Sequence, residues 1–205
     1  DADITDENGF DALLKRERPD AVIHCAAMTA VDKCEEAVDF AYRLNAQGSA
    51  NVAAACARHG ARLIAISTDY VFDGNASSPI APDHPAAPQC VYGRTKLQGE
   101  RAVLEAGCKS IIIRTAWLYS PYGRNFVRTI AGLTEANGSI NVVCDQIGSP
   151  TYAGDLAALI VKIIRDGLLD RTGTYHYTDE GCASWYDLAA AVNDLCGHGC
   201  EIRPV

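Results

Sequence analysis

Long basic runs are missing from this sequence of 205 residues. It has 18 Lys and Arg against 26 Asp and Glu, which gives a formal net charge of −8 at pH 7. Because nucleic-acid binding needs basic side chains that neutralise rows of phosphates, we expect no nucleic-acid partner. Long apolar runs are also missing. Residues 110–116 and 157–164 are the longest, and they fall well short of the roughly 18 residues of a membrane span. We therefore expect no membrane span, and no signal peptide is found.

A paired cysteine framework is missing too, although the sequence has nine cysteines. Their number is odd, and Cys25, Cys56 and Cys108 lie in apolar segments where a thiol packs as a small apolar group. This pattern predicts a reducing, cytoplasmic compartment. The segment CGHGC (196–200) offers three soft ligands, but a structural zinc site usually gathers two separated pairs. We interpret it as a Gly-rich turn after a helix and assign no metal ligand.

Apolar residues make up 48% of the chain, enough for a sizeable core. Helical patterns alternate with short apolar runs, which is typical of a parallel sheet covered by helices on both faces. We predict an α/β fold with a doubly wound parallel sheet, residues 1–138 forming one domain. The pattern loosens in residues 139–205, interpreted as the last sheet elements plus part of a smaller α/β lobe. Predicted helices cover 5–17, 36–59, 91–106, 125–136, 153–166 and a segment from 184; predicted strands cover 21–27, 62–67, 110–115, 141–143 and 174–178.

A loop and the helix after it carry the most informative residues. The loop, residues 73–89, contains four prolines, and long loops in compact domains are often functional. Tyr92 and Lys96 follow it four residues apart, so both side chains project from one helix face. An unperturbed Tyr titrates at about 10, and we expect the Lys96 cation to lower the pKa of Tyr92. Alone, the pair is better explained by a solvated helix face.

The position of Thr68 at the end of a predicted central strand favours a functional interpretation of Tyr92 and Lys96. In open α/β sheets the ligand crevice lies beyond the carboxyl ends of the strands, and Thr68 stands at such an end. A phenol could donate its proton to a carbonyl oxygen as hydride reaches the carbon, while Thr68 bonds the same oxygen. This combination predicts a carbonyl reduction.

Five ordered motifs then carry a resemblance to a known family. They are STDYVFDG (67–74), VYGRTKLQGE (91–100), RTAWLY (114–119), YGRNF (122–126) and DQIGSPT (145–151). In order and spacing they resemble the extended short-chain dehydrogenase/reductases and, within them, the dTDP-4-dehydrorhamnose reductases. The resemblance implies a Rossmann-like dinucleotide-binding domain over residues 1–138 and a partial substrate lobe. It also implies NADPH- or NADH-dependent reduction of dTDP-4-dehydro-L-rhamnose to dTDP-L-rhamnose, a sugar donor for cell-surface polysaccharide.

The resemblance assigns roles residue by residue. It implies that Thr68, Tyr92 and Lys96 are catalytic, with Tyr92 as the acid and Lys96 lowering its pKa and holding the nicotinamide ribose. Trp117 is implied in the substrate pocket, although a core aromatic is the alternative. The implied substrate-binding set is Thr68, Asp69, Tyr70 and Trp117, and the implied cofactor-binding set is Asp3, Ile4, Ala26, Ala27, Met28, Thr29, Ile66, Tyr92 and Lys96.

Other polar residues receive plainer interpretations. Asn45 is interpreted as a satisfied polar group on a packed helix, and Asn125 as a helix cap. Asp145 and Gln146 fit turn chemistry. A Gly-rich turn that would hold the cofactor pyrophosphate is missing from these 205 residues, so we expect this polypeptide to be either part of a longer protein or a relic, with weak NADPH binding.

Two alternatives stay open at this point. A related nucleotide-sugar dehydratase or epimerase is one, but Thr68 is followed by only one acid, Asp69, which argues against elimination. A non-catalytic regulator resembling the beta subunit of methionine adenosyltransferase is the other, since that protein shares segments like STDYVFDG. The nicotinamide preference, the exact nucleotide sugar and a homodimeric state are left open. Some relatives use magnesium at a subunit contact, but no residue here is assigned to it.

Overall fold

The computed structural model describes residues 2–205, and Asp1 lies outside the described residues. Helices and short strands alternate along the chain. Residues 42–47 form a π-helix, and residues 69–71 and 168–170 form single 3-10 turns. The α-helices are α1 (Glu7–Glu17), α2 (Val31–Glu36), α3 (Val38–Ala41), α4 (Gly48–His59), α5 (Val91–Glu105), α6 (Phe126–Ala136), α7 (Ala153–Arg165) and α8 (Trp185–Cys196). The strands are β1 (Ala21–His24), β2 (Arg62–Thr68), β3 (Ser110–Thr115), β4 (Leu118–Tyr119), β5 (Ser139–Val142), β6 (Ile147–Gly148), β7 (Thr151–Tyr152), β8 (Gly173–His176), β9 (Ala183–Ser184) and β10 (Glu201–Pro204).

The largest sheet is parallel and has the strand order β1-β2-β3-β8. Ile64 of β2 is paired with Ile23 of β1 on one side and with Ile111 of β3 on the other. All six residues of β3 are buried, as a continuous apolar run in a central parallel strand predicts. Helices α4 and α5 connect neighbouring strands and pack against each other and against β2. The predicted α/β fold class with a parallel sheet is confirmed.

The chain forms two compact units, and their division differs from the predicted one. The first unit holds the residues up to Thr115 together with Ile160–His176, and the second holds Ala116–Leu159 and Tyr177–Val205. The sequence predicts a boundary at 138–139. The chain instead leaves the first unit after β3 and returns to supply β8, which pairs with β3. A hydrophobic pattern indicates the order of elements but not such a return.

The second unit is a small α/β body made of strand pairs. Strand β4 pairs with β7 and β5 with β10, both parallel, and β6 pairs antiparallel with β9. Helices α6 and α8 pack against each other and against β5, around the buried Ile130, Val142, Ala189 and Val192. The strands of this unit, of two to four residues, are shorter than those of an ordinary sheet.

The helix predicted over residues 36–59 is not continuous. It is broken at Ala37, where φ is −124° and ψ is 56°, and it widens into the π-helix before α4 begins. The wide turn contains Asn45, which is fully buried and bonds the backbone of Met28. Because the small and apolar residues on both sides of this wide turn still follow one another at spacings of three and four, the sequence pattern did not reveal the interruption.

The N-cap of the first helix lies one residue later than predicted. Asp6, rather than Thr5, is its N-cap, since the Asp6 carboxylate accepts a hydrogen bond from the Gly9 amide at 3.0 Å. Thr5 is instead held by Asp3, whose carboxylate accepts bonds from its amide and its hydroxyl, each at 2.8 Å. Among residues 2–205, no helix combines the length and the apolar character that a membrane span requires.

Candidate active site

Thr68, Tyr92 and Lys96 come together in the first unit. Thr68 ends β2, while Tyr92 and Lys96 occupy the first two turns of α5, and each of the three is less than 9% exposed. The Tyr92 phenol is close enough to Thr68 for the Thr68 side chain to lower the pKa of Tyr92, against the effect of burial. The Lys96 ammonium donates a bond to the Ile66 carbonyl oxygen at 2.8 Å. The helical spacing and the strand end therefore bring these side chains to one place.

Burial dominates the titration of both α5 residues. It raises the pKa of Tyr92 to about 12, although the hydrogen bond with Thr68 acts in the opposite direction. It lowers the pKa of Lys96 to about 8, while the nearby Glu100 and Cys25 oppose that shift. The prediction that Lys96 lowers the pKa of Tyr92 is not met, because burial raises that pKa and Lys96 is not among the groups that shift it. At pH 7 Tyr92 is thus a neutral phenol that can donate a proton.

Asp69 and Tyr70 border the same place. The Thr68 hydroxyl donates to the Asp69 carboxylate at 3.0 Å and accepts from the Tyr70 amide at 3.2 Å. The Tyr70 ring meets the Tyr92 ring edge-on, with centroids 5.5 Å apart. Burial raises the pKa of Asp69. Tyr70 is 43% exposed, so its outer face is open to a ligand.

The segment of residues 26–29 follows β1 without regular secondary structure and is anchored by Asn45. The Asn45 side chain accepts a bond from the Met28 amide at 2.7 Å and donates to the Met28 carbonyl at 3.0 Å. It also donates to the Thr95 hydroxyl at 3.0 Å. Asn45 is a satisfied polar group, as interpreted from the sequence. Its partners show that it holds the segment containing Ala26, Ala27, Met28 and Thr29, next to α5.

Asp3 and Ile4 are placed differently from each other. Asp3 is exposed and bonds Thr5, and these two bonds are the main cause that lowers the pKa of Asp3. Ile4 is buried, its carbonyl accepts from the Asn51 side-chain amide at 2.9 Å, and its side chain packs closely against Gly48. The Ile4 side chain therefore belongs to the core, and a cofactor contact by either residue stays a prediction.

The N-terminus of α5 has two caps that the sequence interpretation missed. The Cys90 thiol accepts a bond from the Gly93 amide at 3.4 Å, and the Glu35 carboxylate accepts from the Val91 amide at 2.7 Å. Carboxylates stabilise helix N-termini, so Glu35 ties α2 to the helix that carries Tyr92. The sequence signal was weak because Cys is an uncommon cap and Glu35 lies far from α5 along the chain.

His24 is a buried base that lines a small cavity together with Lys96. A cavity of about 10 Å³, room for about one water, is lined by His24, Ser49, Lys96 and Glu100 among others. The Ser49 hydroxyl donates to the Asn45 carbonyl at 2.6 Å, so the His24 Nε2 is the donor in its 3.0 Å bond to Ser49. Burial, with a smaller contribution from Lys96, lowers the pKa of His24 to about 4. His24 is therefore neutral at pH 7.

Trp117 belongs to the second unit. Its ring stacks on Trp185 with centroids 3.4 Å apart and planes within 5°. Its φ is +48°, a conformation that large side chains rarely adopt, and a Cβ on Gly148 would lie 2.5 Å from its ring. The Trp185 ring donates to Gln146 at 3.2 Å. Trp117 is half-buried in an aromatic stack, and its contact with a substrate stays a prediction.

Two plainer interpretations in the second unit are supported by its geometry. Asn125 is the N-cap of α6, because its side chain accepts from the Arg128 amide at 3.2 Å. In CGHGC, Gly197 ends α8 in the left-handed conformation and His198 bonds the Thr134 hydroxyl at 2.8 Å. His198 thus joins the turn to α6. Within residues 2–205, no three His, Cys, Asp or Glu side chains gather as a metal site would require.

Comparisons with known proteins identify a family and reductase relatives. The family model described as the RmlD substrate binding domain matches residues 1–205. The chain is 41% identical to the dTDP-4-dehydrorhamnose reductase of Aggregatibacter actinomycetemcomitans, over 94% of this chain and 66% of that protein. It is 46% identical to a probable dTDP-4,6-dihydroxy-2-methyloxan-3-one 4-ketoreductase of Streptomyces antibioticus, over 93% of this chain and 64% of that protein.

A solved structure is similar throughout. The dTDP-4-dehydrorhamnose reductase of Bacillus anthracis, crystallised in complex with NADP, matches with a TM-score of 0.95 and 42% identity. The match covers 100% of this chain and 72% of that one. The chain thus spans about two thirds of the length of the relatives that it matches, with coverage from 64% to 72%.

Proposed function

The chain belongs to the RmlD substrate binding domain family, and on that premise we propose that it takes part in an NAD(P)H-dependent reduction of a dTDP-linked 4-keto sugar. The proposed substrate is dTDP-4-dehydro-L-rhamnose and the proposed product is dTDP-L-rhamnose, a donor for polysaccharide synthesis. The names of the relatives from Aggregatibacter and Bacillus support this choice. The relative from Streptomyces carries a different dTDP-linked keto sugar in its name, so the 4-keto chemistry is the broader part of the proposal.

The residues around Lys96 fit a nicotinamide cofactor. An ammonium has three N–H donors, and the buried Lys96 gives one to Ile66, so it can donate others to ribose hydroxyls. The neighbouring segment 26–29 is held by Asn45 with part of its surface exposed. NADPH or NADH, when bound, supplies the hydride. Lys96 and Tyr92 would hold the nicotinamide ribose, and Ala26 to Thr29 would line the cofactor.

Tyr92 is the proposed proton donor. Reduction of a ketone places a growing negative charge on its oxygen, which a neutral phenol can neutralise by general acid catalysis. Burial keeps Tyr92 protonated at pH 7. The Thr68 hydroxyl, which donates to Asp69 in this structure, would turn its proton to the same substrate oxygen. Tyr70 and Asp69 would border the sugar. The observation that carries the proposal is the gathering of Thr68, Tyr92 and Lys96 at the end of β2.

The regulatory alternative receives less support. The relatives named above are reductases, and the buried proton donor and cation are the groups that carbonyl reduction needs. A regulator would have no need for a neutral phenol beside a buried ammonium. Cytoplasmic location and a homodimer stay predictions from the sequence.

The experiment uses the full-length protein and follows the absorbance of reduced nicotinamide with dTDP-4-dehydro-L-rhamnose supplied. Tyr92→Phe should lower turnover by about 10²- to 10⁴-fold, because the donated proton is lost. Cofactor affinity should stay nearly unchanged, because Lys96 still holds the ribose. Tyr175→Phe is the matched control, since Tyr175 is 44% exposed and lies in β8. Wild-type turnover in Tyr92→Phe would disprove the catalytic assignment.

A further inference from the structure

A buried carboxylate joins three elements of the first unit one turn beyond Lys96. Glu100 lies on α5 and is 5% exposed. It accepts bonds from the Ser67 hydroxyl at 2.5 Å and from Arg114 Nε at 2.9 Å, and its second oxygen accepts from Arg114 Nη2 at 2.7 Å. The paired bonds from one guanidinium are the strong geometry of an Arg–carboxylate pair. Glu100 thus links α5 to β2 and β3.

The same guanidinium also reaches the proline-rich loop, residues 73–89. Arg114 Nη1 donates to the Pro82 carbonyl at 3.1 Å, and the guanidinium carbon lies 5.1 Å from the centre of the Phe72 ring. A lysine could pair with Glu100 but has no planar fork with which to reach both partners. Arg114 is therefore an anchor of the loop as well as an ion-pair partner.

A second anchor holds the loop from β8. His176 Nδ1 faces the Ile80 carbonyl at 3.1 Å, and a carbonyl oxygen only accepts, so this nitrogen carries the proton. The His176 ring also meets the Phe72 ring edge-on, with centroids 5.6 Å apart. Most other residues of the loop are exposed. Few contacts therefore hold the loop in place. The Arg114 and His176 bonds hold its middle, at Pro82 and Ile80.

The ends of this loop lead to the proposed catalytic residues. Thr68 precedes it through the short turn of residues 69–71, and Tyr92 follows it at the start of α5. We propose that Glu100 and Arg114 are positioning residues, whose buried pair fixes the loop and with it the placement of Thr68 relative to Tyr92. The proposal rests on the proposed function, because the placement matters for a reaction that uses both hydroxyls.

The test uses Arg114→Lys, which keeps the positive charge beside Glu100 and removes the hydrogen bond to the Pro82 carbonyl. Arg62→Lys is the matched control, because Arg62 lies at the start of β2 and pairs with Asp170 at the surface. Hydrogen exchange of the loop reports its order, above all at the His84 and Ala87 amides, which donate to the Ala81 and Val71 carbonyls. The steady-state constants for keto sugar and for NADPH, with the melting temperature, report the reaction and the fold.

In Arg114→Lys we expect faster exchange in residues 79–87 and a fall in kcat of about 10-fold or more, since small misplacements of reacting groups are costly. The KM for NADPH should stay at its wild-type value, and Arg62→Lys should match wild type in every measurement. Unchanged loop exchange would overturn the proposal. So would a faster loop with unchanged kcat, or a joint loss of kcat, NADPH affinity and melting temperature, which would indicate a merely structural pair.

His176→Phe keeps the proposal testable if Arg114→Lys does not fold. It removes the bond to Ile80 without touching the ion pair and can preserve the ring contact with Phe72. We expect faster exchange of the loop and a lower kcat, both by less than in Arg114→Lys. A loosened loop with wild-type kcat would overturn the proposal. Absence of turnover in the wild type would count against the proposed function alone, and the exchange data would still decide whether the pair fixes the loop.

Discussion

Two buried asparagines, one in each unit, are held in different ways. Asn45 in the first unit is fully buried and uses both side-chain atoms in three bonds to Met28 and Thr95. Asn193 in the second unit is 7% exposed, and its amide nitrogen donates to the Cys200 carbonyl at 3.1 Å. Its side-chain oxygen has no partner among the described residues. The first asparagine joins three elements, whereas the second closes one turn.

The contrast extends to how each unit is held together. In the first unit, buried polar side chains such as Asn45 and Glu100 join elements that are distant in sequence, around the proposed catalytic residues. In the second unit, a stack of two indoles supplies a comparable long-range contact. Polar networks fix direction as well as distance, whereas ring stacking tolerates sliding. We therefore expect the first unit to be the one that sets the geometry of the chemistry.

Among the variants that test this contrast, we expect the largest effect for Lys96→Met. It should lower both turnover and cofactor affinity, because Lys96 is the buried cation of the proposed site and would hold the nicotinamide ribose. The loss of turnover should be on the order of 10²- to 10⁴-fold. Lys162→Met, on the exposed side of α7, should behave as wild type. Kinetics and calorimetric titration with NADPH check both effects, and unchanged values in Lys96→Met would contradict the role given to it.

A stability comparison of the two asparagines sharpens the contrast. Asn45→Ala leaves the Met28 amide and carbonyl unpaired, so we expect a loss of about 3 kcal/mol in the free energy of unfolding. Asn193→Ala loses one bond and also removes an oxygen without a partner, so we expect about 1 kcal/mol or less. Denaturant unfolding of the two variants measures the difference. Equal losses in the free energy of unfolding would contradict the contrast. They would show that buried polar bonds stabilise the two units to the same extent.

The pH dependence of stability tests His24 in the first unit. Its pKa is lowered to about 4, so the unfolded chain, with a pKa of about 6.5, binds the proton more readily. The contribution of His24 is therefore fully present above about pH 6.5 and is lost as the pH falls towards 4. Between pH 7 and pH 4.5 we expect a loss of about 2 to 3 kcal/mol from this residue.

His24→Gln should flatten that part of the stability profile while keeping a donor for Ser49. His198→Gln in the second unit controls for the change of residue type. The quantity compared is the difference between each variant and wild type, because carboxylates also titrate in this range. A profile of His24→Gln parallel to that of wild type would refute the burial argument.

The smallest effect is expected for Trp117→Ala in the second unit. Loss of the stack with Trp185 should reduce stability by about 1 kcal/mol, since Trp117 is half-buried. We expect the affinity for the nucleotide sugar to fall about tenfold, or about 1.4 kcal/mol, and that for NADPH to stay unchanged. An equal loss of both ligands, with about 3–5 kcal/mol of stability, would favour a core role.

The sequence predicted the first unit better than the second for a physical reason. Parallel strands buried on both faces are continuous apolar runs, so β2 and β3 and the helix between them could be read directly. Strands of two residues, such as β4, β6 and β7, have no periodicity to detect. The return of β8 to the first sheet depends on pairing, which a pattern along one chain does not contain.

The candidate site was predictable where spacing along one helix decides it. Tyr92 and Lys96 share a face of α5, and Thr68 ends a central strand, so their meeting follows from local structure. Glu35 and Arg114 were missed because their roles depend on partners far away in the chain, Val91 and Pro82. The pKa of Tyr92 was predicted in the wrong direction, since burial is a property of the packed fold.

The π-helix of residues 42–47 changes the rotation of α4 about the helix axis relative to α3. Successive residues of a helix are rotated by about 100°, so removal of a residue here would turn α4 by that angle relative to α3. Asn45 points to Met28, whereas Ser49 and Asn51 reach His24 and Ile4. A chain with one residue fewer here could form the Asn45 bond or the Ser49 and Asn51 bonds, but not both. A single-residue gap at this point in an alignment of relatives would therefore mark proteins in which the segment after β1 is held by different means.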